Sequence, residues 1–114
     1  MKIRSLFLGL CLLSTPALAQ TISPQDAASH VGKSVTVRGV VDEVHTSDRG
    51  NVFLNMGGHY PNHTFTGFIR ARDAGAFPNV QSYQGKTINV SGTIKLYKNK
   101  PEIELQSGSQ LSAN

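Results

Sequence analysis

One pattern of nine residues occurs twice in this chain, at positions 53 residues apart. Residues 32–40 are GKSVTVRGV and residues 85–93 are GKTINVSGT. In each copy apolar and polar residues alternate, which in a β-strand puts the apolar ones on one buried face. Each alternation then reaches Gly39 or Gly92, where a strand can bend or bulge because no Cβ obstructs the backbone. Two long, bent strands in a chain of 114 residues favour a small closed barrel.

The first 19 residues have the organisation of an export signal. Lys2 and Arg4 supply the basic start, residues 6–13 the apolar run, and residues 17–19 an A-x-A cleavage site. We therefore predict a signal peptide over residues 1–19 and a single domain over residues 20–114 that is periplasmic or secreted. The apolar run is shorter than the roughly 20 residues that cross a bilayer, so no membrane anchor is expected.

The predicted mature domain contains no cysteine, because Cys11 is the chain's one cysteine and lies in the signal. Leu10 precedes it, where a bacterial lipoprotein signal has a small residue, so a lipid anchor is not expected. Disulfides, thiolate metal sites and cysteine nucleophiles are therefore excluded from the domain. Without Lys2 and Arg4, nine basic residues face seven acidic ones, a balance that permits an anionic partner without requiring one.

Period-two alternation bounded by turn residues predicts five strands. They cover residues 34–45, 52–56, 64–70, 87–97 and 101–106. A short N-terminal helix is expected to begin at Ser23 and Pro24 and to end at Gly32, and a second short helix is expected over residues 72–77. Three strands, a short helix and two strands is the order of the OB-fold, so we predict this all-β, five-stranded Greek-key barrel. A small sandwich or another five-stranded barrel is the alternative.

Several short segments carry a resemblance to a known group of domains. They are GKxVxVxGxV from residue 32, FLNMG from residue 53, YPN from residue 60, FT from residue 65, GK from residue 85 and PEI from residue 101. Over residues 24–111 the sequence resembles exported bacterial OB-fold domains of the nucleic-acid-binding type, which occur alone or beside secreted nuclease modules. Since the nuclease module is absent here, the resemblance implies a free-standing binding domain and not an enzyme. We expect this domain to be a monomer. The chain is also similar to small periplasmic OB-fold stress proteins, which bind something other than nucleic acid.

OB domains usually bind ligands on the face of their second and third strands and on the flanking loops. Single-stranded nucleic acid needs aromatic platforms for its bases and cations for its phosphates. On this chain that surface selects nine candidate nucleic-acid-binding residues: Arg49, Phe53, Asn55, Tyr60, Phe65, Arg70, Tyr97, Lys98 and Lys100. Whether Phe53 and Phe65 face the ligand or the core stays open, and residues 97–100 also fit an ordinary solvated turn.

Other chemistry is not favoured by the sequence. His45, His59 and His63 lack the acidic or cysteine partners of a metal site, so no metal and no cofactor are expected. Ser47 and Asp48 near His45 fit a hairpin turn, so we predict that the protein is not an enzyme. The predicted function is an exported module that binds single-stranded DNA or RNA, or a similar polyanion, in an aromatic and basic groove. The alternative is an envelope or stress protein whose same face binds a protein, an oligosaccharide or a small cation.

Overall fold

The computed structural model describes residues 20–113, so the predicted signal peptide lies outside the described residues. This part of the chain is mostly β-structure, with short 3₁₀ helices at Pro24–His30, Ala71–Ala76, Val80–Tyr83 and Gly108–Gln110. The strands are β1 (Gln20–Ile22), β2 (Ser34–Thr46), β3 (Val52–Met56), β4 (Phe65–Ile69), β5 (Thr87–Thr93), β6 (Lys95–Tyr97), β7 (Lys100–Glu104) and β8 (Leu111–Ala113).

These strands form one sheet in the order β6-β7-β4-β3-β2-β5-β8, with β1 paired in parallel to β2. Neighbours along this path are antiparallel except for the parallel pair β4 and β7. Along residues 20–113 the hydrogen-bonded path does not close on itself. The structure thus has eight strands in an open path where the sequence predicts five strands in a closed barrel.

The predicted fourth strand is interrupted at Ile94, which separates β5 from β6. Ile94 is fully buried, its N–H donates to the carbonyl of Lys33, and its own carbonyl accepts from the N–H of Gly32. These bonds, 3.0 and 2.8 Å long, take Ile94 out of the ladder. As a result β5 continues the pairing with β2, whereas β6 turns to pair with β7.

Strand β2 changes partners along its length. Its first half pairs with β5 and its second half with β3, and the register shifts between Val41 and Glu43. Such a bulge bends a strand and increases its twist. The bend falls next to Gly39, where an added Cβ would lie 2.6 Å from Cγ of Pro24. The glycine is therefore required for the close approach of the first 3₁₀ helix to β2.

The core lies between the inner faces of the curved sheet and the first 3₁₀ helix. Both copies of the repeated pattern contribute to it as predicted, because Val35, Val37, Ile88 and Val90 are buried. The largest fully buried side chains are Phe65, Leu54, Met56, Ile69, Ile88, Ile94, Ile103, Leu105, Val37, Val41 and Val90.

The N-terminal helix begins at Pro24, as predicted, and is a 3₁₀ helix of seven residues. Pro24 and Ala27 are its buried residues. Between β4 and β5 the structure has two 3₁₀ helices where the sequence predicts one. Within residues 20–113 no helix is long and apolar enough to cross a bilayer.

One side chain connects β5 to β7, which contact each other without a shared ladder. Nε2 of Gln110 donates to the carbonyl oxygens of Ser91 and Glu104, at 3.0 and 3.1 Å. Its Oε1 accepts the backbone N–H groups of Gln106 and Ser107. Both the nitrogen and the oxygen of this side-chain amide therefore make hydrogen bonds.

We expect Gly39→Ala to destabilise the domain by about 1–3 kcal/mol, because the added methyl group overlaps Pro24 and displaces the first 3₁₀ helix. Urea unfolding followed by circular dichroism measures the change. Gly75→Ala is the matched control, since an added Cβ there meets no atom within 4 Å, and its expected change is within about 0.5 kcal/mol. Equal stability of Gly39→Ala and Gly75→Ala would contradict the requirement for a glycine where β2 approaches Pro24.

Candidate ligand-binding groove

A groove of about 770 Å³ lies on the face of β3, β4, β7 and β6 that points away from the core. It is lined by His45, Ser47, Asn51, Phe53, Asn55, Tyr60, Pro61, His63, Thr66, Phe68, Arg70, Lys95, Tyr97, Lys98, Lys100, Pro101 and Glu102.

Three rings form an aromatic row across the groove: His45, Phe53 and Phe68. They occupy directly opposed positions on β2, β3 and β4. The ring centroids of His45 and Phe53 are 5.9 Å apart, and those of Phe53 and Phe68 are 5.2 Å apart. The guanidinium carbon of Arg70 lies 5.6 Å from the centroid of Phe68, within cation–π range. The aromatic row presents flat apolar surface of the kind that stacks on planar ligands.

A polar row runs beside the aromatic row, one step along each strand: Glu43, Asn55, Thr66, Glu102 and Lys95. Register pairs Glu43 with Asn55, Asn55 with Thr66, Thr66 with Glu102, and Lys95 with Glu102. Nδ2 of Asn55 donates to Oε1 of Glu43 at 3.0 Å, and Oγ1 of Thr66 donates to Oδ1 of Asn55 at 2.8 Å. The groove floor is therefore built from a stacking surface and a hydrogen-bonding surface side by side.

Seven of the nine residues selected from the sequence line the groove: Phe53, Asn55, Tyr60, Arg70, Tyr97, Lys98 and Lys100. Arg49 lies in the exposed turn between β2 and β3 and is not among the groove-lining residues.

Phe65 is fully buried, so its selection as a ligand-contacting residue was wrong. It shares the inward face of β4 with Gly67 and Ile69, which are also buried. The outward face of the same strand carries Thr66 and Phe68, and Phe68 provides the ring that Phe65 was expected to provide. Sequence reasoning missed Phe68 and the role of His45 beside Phe53. The polar residue Thr66 next to Phe65 was the signal that could have shown which residues of β4 face the core and which face outward.

Asn55 faces the groove but is only 2% exposed. Its Oδ1 accepts a hydrogen bond from Oγ1 of Thr66, and its Nδ2 donates one to Oε1 of Glu43. This side chain orders the groove floor, and its hydrogen-bonding capacity is largely used within the domain.

Most cations of the groove already have partners. Arg70 pairs with Glu104 at 2.7 Å, and this hydrogen-bonded contact raises the pKa of Arg70 and lowers that of Glu104. Lys95 pairs with Glu104 at 3.2 Å and with Glu102 at 3.8 Å. Because these cations are exposed to solvent, such pairs contribute little to stability. The field that the groove offers to an anion is therefore weaker than its count of basic residues indicates.

Tyr97, Lys98 and Lys100 form the tip between β6 and β7, where the sequence predicts a combined stacking and basic patch. Tyr97 is 55% exposed, and Nζ of Lys98 lies 5.4 Å from its ring centroid. Within residues 20–113 no carboxylate pairs with Lys98. Lys100 instead donates from Nζ to the carbonyl of His63 at 2.7 Å. Of this tip, Lys98 is the cation most available to a ligand.

The loop between β3 and β4 forms one rim of the groove and is held by two carboxylates beside the bulge in β2. Asp42 accepts the N–H of Gly58 at 2.7 Å, and Glu43 accepts the N–H of Tyr60 at 2.9 Å. The bond from Tyr60, followed by the one from Asn55, lowers the pKa of Glu43. These bonds hold the backbone of Tyr60 at the rim, and its ring is 72% exposed and stacked 5.9 Å from the His63 ring.

The three histidines near this rim do not form a metal centre. Among the described residues, no group of three or more His, Cys, Asp or Glu side chains has the arrangement of a metal site. His63 is buried and its Nδ1 has no hydrogen-bond partner within residues 20–113. Burial, followed by the positive charge of Lys100, lowers the pKa of His63.

No family model matches this chain, and no curated protein matches it. Solved structures do share its fold. OBody AM1L10, solved bound to hen egg-white lysozyme, is 12% identical with a TM-score of 0.61, over 88% of this chain and 98% of that one. Asparaginyl-tRNA synthetase from Pyrococcus horikoshii is 14% identical with a TM-score of 0.58, over 84% of this chain and 23% of that one.

The asparaginyl-tRNA synthetase from Entamoeba histolytica is 15% identical with a TM-score of 0.57, over 86% of this chain and 24% of that one. This chain therefore spans less than a quarter of the synthetases it matches. The matched parts are OB-folds, so the similarity shows an OB-type fold. At these identities it shows the fold alone.

Two glutamates on β7 are expected to respond to pH in opposite directions. Burial raises the pKa of Glu102 above the ordinary 4.5, whereas the bond from Arg70 lowers the pKa of Glu104 below it. Above pH 4.5 the contact between Glu104 and Arg70 contributes its full stability, which is lost as pH falls through the lowered pKa. Glu102 contributes stability below pH 4.5 that is lost as pH rises through its raised pKa.

Urea unfolding of Glu102→Gln and Glu104→Gln against pH measures both effects, each variant serving as the control for the other. Relative to the wild type, Glu102→Gln should gain stability as pH rises, and Glu104→Gln should lose it. Carboxyl carbon NMR titration reports the two pKa values directly. Parallel profiles for the two variants would contradict the assignment.

Proposed function

We propose that this protein is an exported OB-fold binding module that holds single-stranded nucleic acid in the groove. The aromatic row carries this proposal, because three neighbouring rings on one sheet face are a stacking platform for unpaired bases. Arg70 above Phe68 and the Tyr97–Lys98 pair extend stacking and positive charge beyond the row. Phosphates would be neutralised chiefly at Lys98 and Lys100.

Two further observations support the proposal. The neighbours in fold include synthetases named for tRNA, and their matched portions are OB-folds. The groove also lies on the sheet face through which OB-folds commonly bind oligonucleotides. We infer in addition that β5 and β6, separated only by Ile94, act as one bent fourth strand of a five-stranded Greek-key barrel, because β5 pairs with β2 and β6 with β7.

The proposal predicts that a labelled single-stranded oligonucleotide of mixed sequence binds the protein and that substituting groove rings weakens the complex. Phe68→Leu keeps an apolar side chain but removes the ring, and the expected loss is about 1–3 kcal/mol. Lys98→Ala should weaken binding less and reduce its salt dependence. Fluorescence anisotropy at about 50 and 200 mM salt measures both effects.

One control lies outside the groove and the other keeps a groove ring in place. Lys86→Ala removes an exposed lysine that does not line the groove, so it should bind like the wild type. Tyr97→Phe keeps the ring and should retain affinity, whereas Tyr97→Ala should not. Absence of binding at the lower salt concentration, with all proteins folded, would overturn the proposal.

A second candidate function is an envelope or stress protein whose groove binds a protein or an oligosaccharide. The ion pairs of Arg70 and Lys95 favour it, since a groove with compensated charges suits a ligand of low net charge. The neighbour OBody AM1L10, bound to lysozyme, is an example of an OB-fold that binds a protein. Binding that is unchanged by salt, or binding of neutral oligosaccharides without nucleic acid, would favour this candidate.

Export predicts a specific product of processing. Protein recovered from the periplasm or the medium of an expressing bacterium should begin at Gln20, because residues 17–19 form the predicted cleavage site. Intact mass spectrometry of the cell fractions measures this. Substituting Ala19 by a bulky residue should leave the unprocessed chain with the cells, whereas full-length protein in the cytoplasm of the wild type would contradict export.

A further inference from the structure

Glu102 is a feature of the groove floor that stacking and phosphate binding do not explain. It is 6% exposed, and its carboxylate lies 3.8 Å from Nζ of Lys95. Within residues 20–113 that carboxylate receives no hydrogen bond. Its oxygens are not among the fully buried side-chain atoms that lack a partner, so they can be reached from the groove. Partial burial of the side chain raises the pKa of this group.

Glu104, on the same face of the same strand, accepts the side-chain hydrogen bonds that Glu102 lacks. It accepts hydrogen bonds from Arg70 at 2.7 Å and from Lys95 at 3.2 Å. The free hydrogen-bonding capacity at Glu102 is therefore specific to that position and not a property of β7. A largely buried carboxylate that keeps hydrogen-bonding capacity in a cleft is a candidate for contact with a ligand.

The position of Glu102 defines what it would contact. Glu102 is the register partner of Thr66, and Phe68, whose own register partner is Glu104, lies two residues further along β4 on the same face. Phe68 and Glu102 are therefore diagonal neighbours on adjacent strands, about 7–8 Å apart, a distance that a planar ligand stacked on the ring can span. A base stacked on Phe68 would therefore extend its edge over Glu102. A phosphate could not occupy the same place, because the carboxylate would repel it.

On the basis of the proposed function, we infer that Glu102 is a specificity-determining residue that selects bases with an exocyclic amino group, cytosine in particular. A carboxylate accepts a hydrogen bond from the N4 amino group of cytosine. Uracil and thymine present the O4 acceptor at the same position, which a carboxylate repels. The binding module would thus prefer cytosine-containing strands over uracil- or thymine-containing ones.

The test compares deoxycytidine, deoxyuridine and thymidine homo-oligonucleotides of equal length by fluorescence anisotropy at one salt concentration. Deoxycytidine and deoxyuridine strands differ at N4 and O4 without the methyl group of thymine. Wild-type protein should bind the deoxycytidine strand about tenfold more tightly than the deoxyuridine strand. Glu102→Gln should bind both within about twofold, because its amide both accepts and donates.

Glu104→Gln is the matched control. It removes a carboxylate from the same strand and face, so overall affinity changes, but the preference for cytosine should remain. Equal binding of the two strands by the wild type, or a preference that survives Glu102→Gln, would overturn this inference and leave the proposed function intact. Absence of binding to every strand would overturn both.

Discussion

Strand β2 is the element on which the rest of this domain depends. It pairs with β5 along its first half and with β3 along its second, so its side-chain parity fixes the inward and outward faces of both halves of the sheet. The bulge between Val41 and Glu43 lets one strand serve both halves. The same bulge directs Asp42 and Glu43 to the loop at the groove rim. The bend that builds the core therefore also shapes the binding surface.

The groove combines two kinds of recognition in one small area. Its aromatic row offers flat surface without preference among planar groups, whereas its polar row is mostly satisfied from within. Internal hydrogen bonds at Asn55 and internal ion pairs at Glu104 hold the surface in shape before a ligand arrives. Such preorganisation reduces the entropy lost on binding. It also leaves few groups free to contact a ligand, so each free group indicates more clearly which ligand the groove can bind.

Much of the fold could be predicted from the sequence because period-two alternation is a strong signal. The bounds of β3 were predicted at both ends, whereas β2 is one residue longer than predicted at its C-terminal end and β4 is one residue shorter at each end. The break at Ile94 was not predictable, because it depends on backbone bonds to residues 32 and 33, far away in sequence. The strands β1 and β8 were missed because each has only three residues. The predicted site was recovered in outline, but the parity of β4 was left open, so Phe65 was selected and Phe68 was missed.

The amide of Gln110 has a consequence for how this sheet can deform. Elsewhere, neighbouring strands are joined by several backbone bonds, whereas within residues 20–113 the hydrogen bonds that connect β5 to β7 come from this side chain, which donates to Ser91 and Glu104, beside the close packing of Ile103 on Gly92. Widening the sheet at this seam breaks two hydrogen bonds, whereas widening it elsewhere breaks a ladder. The seam is thus the place where the curved sheet can open with the least loss. Since β7 also carries Glu102 and Glu104, motion at the seam would change the width of the groove.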